Sequence, residues 1–160
     1  MSARDGDGWI QCQCGSKHWG KFGAAGILIF REGPNGEREI FLQHRAPWVH
    51  NGDTWGIPGG ARDSHESVTE AAMREAHEET GIKPAHLTPL SLFSDDHGDW
   101  RYDTVIASAH SQISADSPND ESQEMRWVAL SEVTMLDLHP SFSKTWFELR
   151  QLLDDVITPT

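Results

Sequence analysis

The chain has few cysteines and no long apolar segment. Its two cysteines, Cys12 and Cys14, are too few for a disulfide framework. No run approaches the roughly 18 apolar residues that a membrane span needs, and the polar N-terminus lacks the apolar centre of a signal peptide. These absences favour a cytoplasmic protein that does not bind membranes.

Basic residues are also scarce. Thirteen Lys and Arg stand against 25 Asp and Glu, which gives a formal net charge of -12. An acidic surface repels phosphate backbones, so we expect no binding of extended nucleic acid. A small phosphorylated ligand can still bind if metal ions reverse the field inside a site.

The length of 160 residues fits one domain with a real core. Residues 1–22 are predicted to be a polar, irregular N-terminal extension, with Trp9 and Trp19 as points of attachment. Residues 23–160 are predicted to form the single domain. The sequence is compatible with a homodimer but does not require one.

Apolar periodicity and turn residues predict an ordered set of strands and helices. Strands are expected at 24–30, 39–43, 90–94, 102–109 and 126–130, with a loop at 44–62. One helix, capped by Ser64, should run to Thr80 and stop at Gly81. A second should be capped by Ser141 or Ser143 and end near Pro159. This order indicates an α/β or α+β layered domain with a mixed sheet.

Three carboxylates on the first predicted helix are the main functional signal. Glu75, Glu78 and Glu79 are spaced i, i+3 and i+4, so they project from one helical face and repel each other. Divalent cations such as Mg²⁺, which take oxygen ligands and leave positions open for substrate phosphates, would relieve that repulsion. The alternative is a solvated acidic face.

The surrounding spacing resembles the Nudix box of Nudix hydrolases. Gly60 and Glu66 precede the run from Arg74 to Ile82 at the family's intervals, and only Ala76 departs, being smaller than the usual aliphatic residue. The resemblance implies a mixed sheet sandwiched between helices. It also implies metal-dependent hydrolysis of a diphosphate linkage, with Mg²⁺ or Mn²⁺ as cofactor.

The resemblance further implies roles for individual residues. Glu75, Glu78, Glu79 and the Gly59 carbonyl are the expected metal ligands. Arg74 is expected to orient a box glutamate through an ion pair, and Glu66 to be structural. The expected catalytic residues are Glu78, Arg74 and Glu121, a loop carboxylate for which Glu124 is the competitor.

The substrate should be recognised by loops outside the box, at 44–55 and 94–102. Our first choice is a nucleoside triphosphate, oxidised or ordinary, cleaved to a monophosphate and pyrophosphate, followed by ADP-ribose or another nucleotide sugar. Arg45 and Arg62 are candidates for phosphate contacts, with surface ion pairs as the alternative. Trp100 and Tyr102 are candidates for base stacking.

Two other functions stay open at this point. A noncatalytic nucleotide-binding module typically loses box glutamates, which this chain keeps. An isoprenoid diphosphate isomerase would need a cysteine beside the box.

Cys12 and Cys14 together with His18 suggest a metal site, although structural zinc usually has four ligands and Cys-x-x-Cys spacing. Reduced, unremarkable thiols are the alternative.

Overall fold

The structure, a computed structural model, describes residues 5–110 and 122–157. Its strands are β1 (Trp9–Gln11), β2 (Lys17–Trp19), β3 (Ala24–Glu32), β4 (Arg38–Arg45), β5 (Trp55–Gly56), β6 (Gly59–Ala61), β7 (Leu87–Asp96), β8 (Arg101–Ala109) and β9 (Ser122–Ala129). The α-helices are α1 (Val68–Thr80) and α2 (Pro140–Ile157), and short 3₁₀ helices span Pro84–His86 and Leu130–Met135.

Strand β3 is the centre of a mixed sheet. It pairs in parallel with β8 and antiparallel with β4 and β6. The sheet order is β5-β4-β3-β8-β7, and β9 pairs with β4. A strand covered on both faces has a continuous apolar sequence, which explains the run at 24–30.

The two helices cover opposite faces of this sheet. Ile27 and Ile29 belong to one core cluster with the small residues Ala72 and Ala76 of α1. The alternate residues Leu28 and Phe30 belong to a second cluster, which includes Phe142, Trp146, Leu149 and Leu153 of α2. This confirms the predicted α+β fold with a mixed sheet between helices.

Helix α1 begins later than expected. Ser67, rather than Ser64, is its N-cap, because the Ser67 side chain accepts from the Glu70 backbone N–H while the Glu70 carboxylate accepts from the Ser67 N–H. Ser64 instead hydrogen-bonds the Asp5 carboxylate. The predicted stop is correct, since Gly81 closes the helix with φ +80°.

The cap predicted for α2 is wrong. The helix begins at Pro140, so Ser141 and Ser143 lie within its first turn. The Ser141 N–H donates to His139 Nδ1 at 3.1 Å, and the Ser143 N–H donates to the His139 carbonyl. His139 therefore caps the helix, and Pro140 occupies the first helical position, where its missing N–H costs nothing. Pro159 lies outside the described residues.

The N-terminal segment is not irregular where it is described. Strands β1 and β2 form an antiparallel hairpin in which Trp9 is opposite Trp19. The hairpin is attached to the domain through the Trp100 indole, which donates to the Trp19 carbonyl at 3.2 Å. Strands of three residues are too short for a period-2 pattern to stand out. The domain boundary at residue 22 stays a prediction.

Several strands begin or end at other residues than predicted. The predicted loop at 44–62 contains β5 and β6, and β7 extends beyond 90–94 at both ends. Strand β9 begins and ends earlier than the predicted 126–130. None of the helices in residues 5–110 and 122–157 is long and apolar enough to cross a membrane.

Candidate active site

The box carboxylates lie against the glycine pair of β6. The Glu79 carboxylate accepts a hydrogen bond from the Gly59 N–H at 2.9 Å. A Cβ atom at Gly60 would lie 2.6 Å from Glu75 Oε1, so only glycine lets this backbone approach the carboxylate. The Glu75 side chain is 9% exposed, whereas that of Glu78 is 47% exposed. The helix thus presents an enclosed carboxylate at Glu75, against Gly60, and a more open one at Glu78.

Arg74 joins the carboxylates around the helix into one network. Its Nε and NH2 atoms donate to the two oxygens of Glu66 at 2.6 and 2.8 Å. Its NH1 atom donates to Glu75 at 2.9 Å and to Glu78 at 3.3 Å. NH2 also donates to the Ala61 carbonyl at the end of β6. One guanidinium therefore holds two box glutamates in position relative to β6.

This network shifts the pKa values of its members. Hydrogen bonding to Glu66 is the largest cause that raises the pKa of Arg74, and Glu75 adds to it against the effect of burial. The same bond lowers the pKa of Glu66 although burial opposes it. Glu66 is therefore an ionised structural partner of Arg74. A structural role was expected for Glu66, but the sequence did not indicate this pairing.

A second acidic group lies just before α1. Ligand atoms of Asp63, His65 and Glu66 come within 4.8 Å of one another. Asp63 accepts from the Gly6 N–H at 2.9 Å, and Glu66 is bound to Arg74. These contacts tie the N-terminal segment to the start of the helix.

A cavity of about 370 Å³ opens beside the glycine pair. Gly59 and Gly60 form one part of its wall, so the cavity adjoins the box carboxylates. The aromatic lining residues are Trp9, Trp19, Phe93, Trp100, Tyr102 and Phe142, and the polar ones include Gln43, Asn51, Thr104 and His139. An apolar cavity of this size with a few polar groups suits a small organic ligand.

The two aromatic residues predicted to stack on a base both line this cavity. The Trp100 ring stacks on His18, with centroids 4.2 Å apart and planes 7° apart. The Tyr102 hydroxyl lies against Gly26 and Gly59, where any Cβ would collide with it. Burial raises the pKa of Tyr102, and the charges of Glu79 and Glu75 raise it further. Tyr102 therefore presents a neutral hydroxyl next to the box.

The two arginines predicted to bind phosphate lie in different places. Arg45 lines the cavity, and its guanidinium donates to the His50 carbonyl at 3.0 and 3.2 Å. Arg62 is not among the cavity-lining residues described. Its guanidinium donates to the backbone carbonyls of Phe22 and Glu66, which gives it a structural role.

The loop carboxylate has two candidates. Glu121 lies outside the described residues, and its competitor Glu124 is exposed on β9 opposite His44.

Several cavity residues escaped the sequence reasoning. Gln43 and Thr104 are buried polar residues inside strands, and His139 precedes a helix. Burial lowers the pKa of His139 to about 4, and the nearby Arg45 and His50 lower it as well. Only tertiary packing brings these residues together, and no spacing in the chain signals it.

Comparison with known proteins agrees with this geometry. Residues 20–150 match the NUDIX domain. A Mycobacterium tuberculosis protein with the provisional name 8-oxo-dGTP diphosphatase 3 is 45% identical over 152 residues, covering 91% of this chain and 70% of its own. A Bifidobacterium longum nucleoside triphosphate pyrophosphatase/Nudix hydrolase fusion protein is 40% identical over 158 residues, covering 96% of this chain and 33% of its own.

A solved structure is similar over almost the whole chain. The crystal structure of RenU, a Nudix hydrolase from M. smegmatis, aligns with a TM-score of 0.87 and 42% identity, covering 94% of this chain and 97% of its own. The match of sequence and fold, together with the intact box, establishes that the chain belongs to the NUDIX domain family and is a Nudix hydrolase.

Proposed function

We propose that the chain hydrolyses a nucleoside triphosphate, oxidised or ordinary, to a nucleoside monophosphate and pyrophosphate with the help of Mg²⁺ or Mn²⁺. The observation that carries this proposal is the adjacency of the box to an aromatic cavity, because the cavity is lined by Gly60, which begins the box, and by Gly59, which is bonded to Glu79. The similarity to a protein named as an 8-oxo-dGTP diphosphatase supports a nucleotide substrate.

The cavity suits the base and the box suits the phosphates. Base stacking on aromatic side chains contributes about 1–3 kcal/mol per base, and Trp9, Trp19 and Trp100 line this cavity. Gln43 and Thr104 are buried amide and hydroxyl groups that can read the edge of a base. Arg45 lies on the same wall, where it can meet phosphate oxygens.

The donor atoms at the box are of the type that divalent cations prefer. Three carboxylates are hard oxygen donors, and the space that a Gly60 side chain would fill is left to the Glu75 carboxylate. Glu75, Glu78, Glu79 and the Gly59 carbonyl are the proposed ligands. A cation held there would supply charge neutralisation on phosphate oxygens and would lower the pKa of a bound water.

The remaining residues would position reactants or move a proton. Arg74 is proposed as a positioning residue, since its contacts fix Glu75 and Glu78. Glu78 is the proposed acceptor of the water proton among the described residues, because its carboxylate is the more exposed. Glu121 stays a candidate for the same role.

The test is a substrate panel assayed with and without Mg²⁺. Nucleoside triphosphates, their 8-oxo forms, dinucleoside polyphosphates and nucleotide sugars would be compared by kcat/KM and by product chromatography. We expect monophosphate and pyrophosphate from a triphosphate, and no turnover after chelation. Hydrolysis in ¹⁸O-labelled water would show which phosphorus is attacked.

Glu79→Gln is the diagnostic variant and Glu148→Gln on the exposed face of α2 is its control. We expect a loss of about 100-fold or more in kcat for Glu79→Gln, an unchanged control and similar melting temperatures. If ADP-ribose were hydrolysed fastest, the substrate class would be nucleotide sugars instead of nucleoside triphosphates. If every compound bound without turnover, and Glu79→Gln changed nothing, the chain would be a binding module.

A further inference from the structure

The β1–β2 hairpin gathers three side chains of the types that bind metals, none of them part of the box. Cys12 and Cys14 lie in the turn after β1, and His18 lies on β2. Their sulfur and nitrogen atoms all come within 4.8 Å of one another, and Cys14 Sγ is 3.1 Å from His18 Nε2. A tight turn brings them together, since the Cys12 N–H donates to the Ser16 carbonyl and Gly15 has φ +96°.

The surroundings hold the three side chains in place. Cys12 is 3% exposed, and its sulfur donates to the His97 carbonyl at 3.2 Å. The neighbouring Gln13 N–H donates to the Asp99 carboxylate at 2.8 Å, which ties the same turn to the segment between β7 and β8.

The imidazole is oriented as well. Its ring stacks on Trp100 at a centroid distance of 4.2 Å, and Trp100 is itself anchored to the Trp19 carbonyl. A ligand whose ring is fixed in advance loses less entropy when it binds a metal. The three side chains are therefore positioned in advance by contacts with residues 97–100, the turn between β7 and β8.

We propose that Cys12, Cys14 and His18 bind a zinc ion that fixes the β1–β2 hairpin against the β7–β8 turn at the rim of the cavity. Two thiolates and an imidazole select zinc over the hard cations that carboxylates prefer. Metal binding releases the two thiol protons, so zinc replaces the bond from Cys12 to the His97 carbonyl, and water fills the fourth position. Ligand atoms around tetrahedral zinc are about 3.5–3.8 Å apart. The Cys14 and His18 atoms, now 3.1 Å apart, would therefore separate slightly, and the other pairs, all within 4.8 Å, would move by about 1 Å at most.

The hairpin that carries the proposed zinc site also forms part of the cavity wall. Trp9, Lys17, His18 and Trp19 all line the cavity. A metal that fixes the hairpin therefore shapes the wall of the cavity without contact with the box carboxylates. The inference does not depend on which nucleotide the enzyme cleaves.

The test begins with cobalt, a spectroscopic substitute for zinc. Reduced, chelator-treated protein is titrated with Co²⁺ in excess Mg²⁺. We expect about one equivalent of Co²⁺ to bind tetrahedrally, with thiolate-to-cobalt charge-transfer absorption that one equivalent of Zn²⁺ removes. Glu79→Gln should keep this absorption, because carboxylates cannot produce it.

Variants of the exposed Cys14 and of His18 test the ligands. Cys14→Ser and His18→Gln should each weaken zinc binding by more than about tenfold, the least that loss of an outer partner costs. Gln13→Ser and His86→Asn, both exposed, are the matched controls and should bind as wild type does. Zinc should also slow amide exchange of residues 9–19 in wild type and not in Cys14→Ser.

Three results would overturn the proposal. One is the absence of charge-transfer absorption in the reduced wild-type protein. A second is equal absorption in wild type and Cys14→Ser. The third is rapid alkylation of Cys14 near neutral pH that zinc does not prevent, since it would indicate a reactive thiol paired with His18 instead of a metal ligand.

Discussion

Replacing Arg74 by alanine tests the ion-pair network that holds the box helix. The Arg74 guanidinium makes a two-point bond to Glu66, whose side chain is only 7% exposed, and it also contacts Glu75 and Glu78. Arg74→Ala would leave the Glu66 carboxylate buried without its cation. Removing one partner of a buried pair costs about 3–5 kcal/mol, and the 20% exposure of Arg74 favours the lower end.

The measurement is the free energy of unfolding in urea, followed by circular dichroism at pH 7. A loss of about 3 kcal/mol corresponds to a fall of about 6–12 °C in melting temperature for a domain of this size. The control is Arg150→Ala on α2, because Arg150 and Asp154 form an i, i+4 pair at 3.4 Å with side chains 40% and 60% exposed. That control should lose at most about 0.5 kcal/mol.

Two further variants isolate the cause. Arg74→Lys keeps the charge but lacks the planar fork, so its loss should be intermediate. Combining Arg74→Ala with Glu66→Gln removes the stranded charge, so the double variant should lose about 1–3 kcal/mol less than the sum of the single losses. Equal losses in Arg74→Ala and Arg150→Ala, or strict additivity with Glu66→Gln, would refute the reasoning.

The remaining predictions concern a cap, a pH effect and a glycine. Ser67→Ala should lose about 1 kcal/mol of unfolding free energy and Ser67→Asp should lose little; equal losses would contradict the cap assignment. The pKa of His139 is about 4 when folded, so its neutral form stabilises the fold above about pH 6.5 and that stability is lost as the pH falls towards 4. Between pH 7 and 4.5, the free energy of unfolding of the wild type should fall by about 1–3 kcal/mol more than that of His139→Gln. Parallel pH profiles of the two proteins would show that His139 does not cause the effect. Gly60→Ala should lower kcat/KM at least about tenfold by displacing Glu75. Gly36→Ala, in a turn with open space but with φ +78°, should lose about 1 kcal/mol of stability and keep wild-type activity.

Local patterns explain what the sequence could predict. The i, i+3, i+4 glutamates, the stop at Gly81 and the apolar run of β3 depend on neighbours within a few residues, and all appear in the structure where expected. Helical periodicity and the need of a left-handed residue at a helix end are properties of short segments. The family resemblance then supplied the fold and the hydrolase class.

Boundaries were less predictable because alternative residues satisfy the same local rule. Ser64 and Ser67 are both acceptable N-caps, and Ser67 is selected because it shares a capping box with Glu70 while Ser64 bonds Asp5. At α2, the acceptor is the His139 ring instead of a serine hydroxyl.

Contacts between distant segments were decided only by the tertiary structure. Glu66 lies eight residues before Arg74, outside the helix, yet its pairing with that arginine needs the turn that precedes α1. Trp100 meets His18 only because β8 and the hairpin converge at one edge of the cavity. The amino-acid sequence by itself thus determined the helix that carries the carboxylates, since that depends on local periodicity. Packing decided what surrounds those carboxylates, because long-range contacts form only when the sheet brings remote strands together.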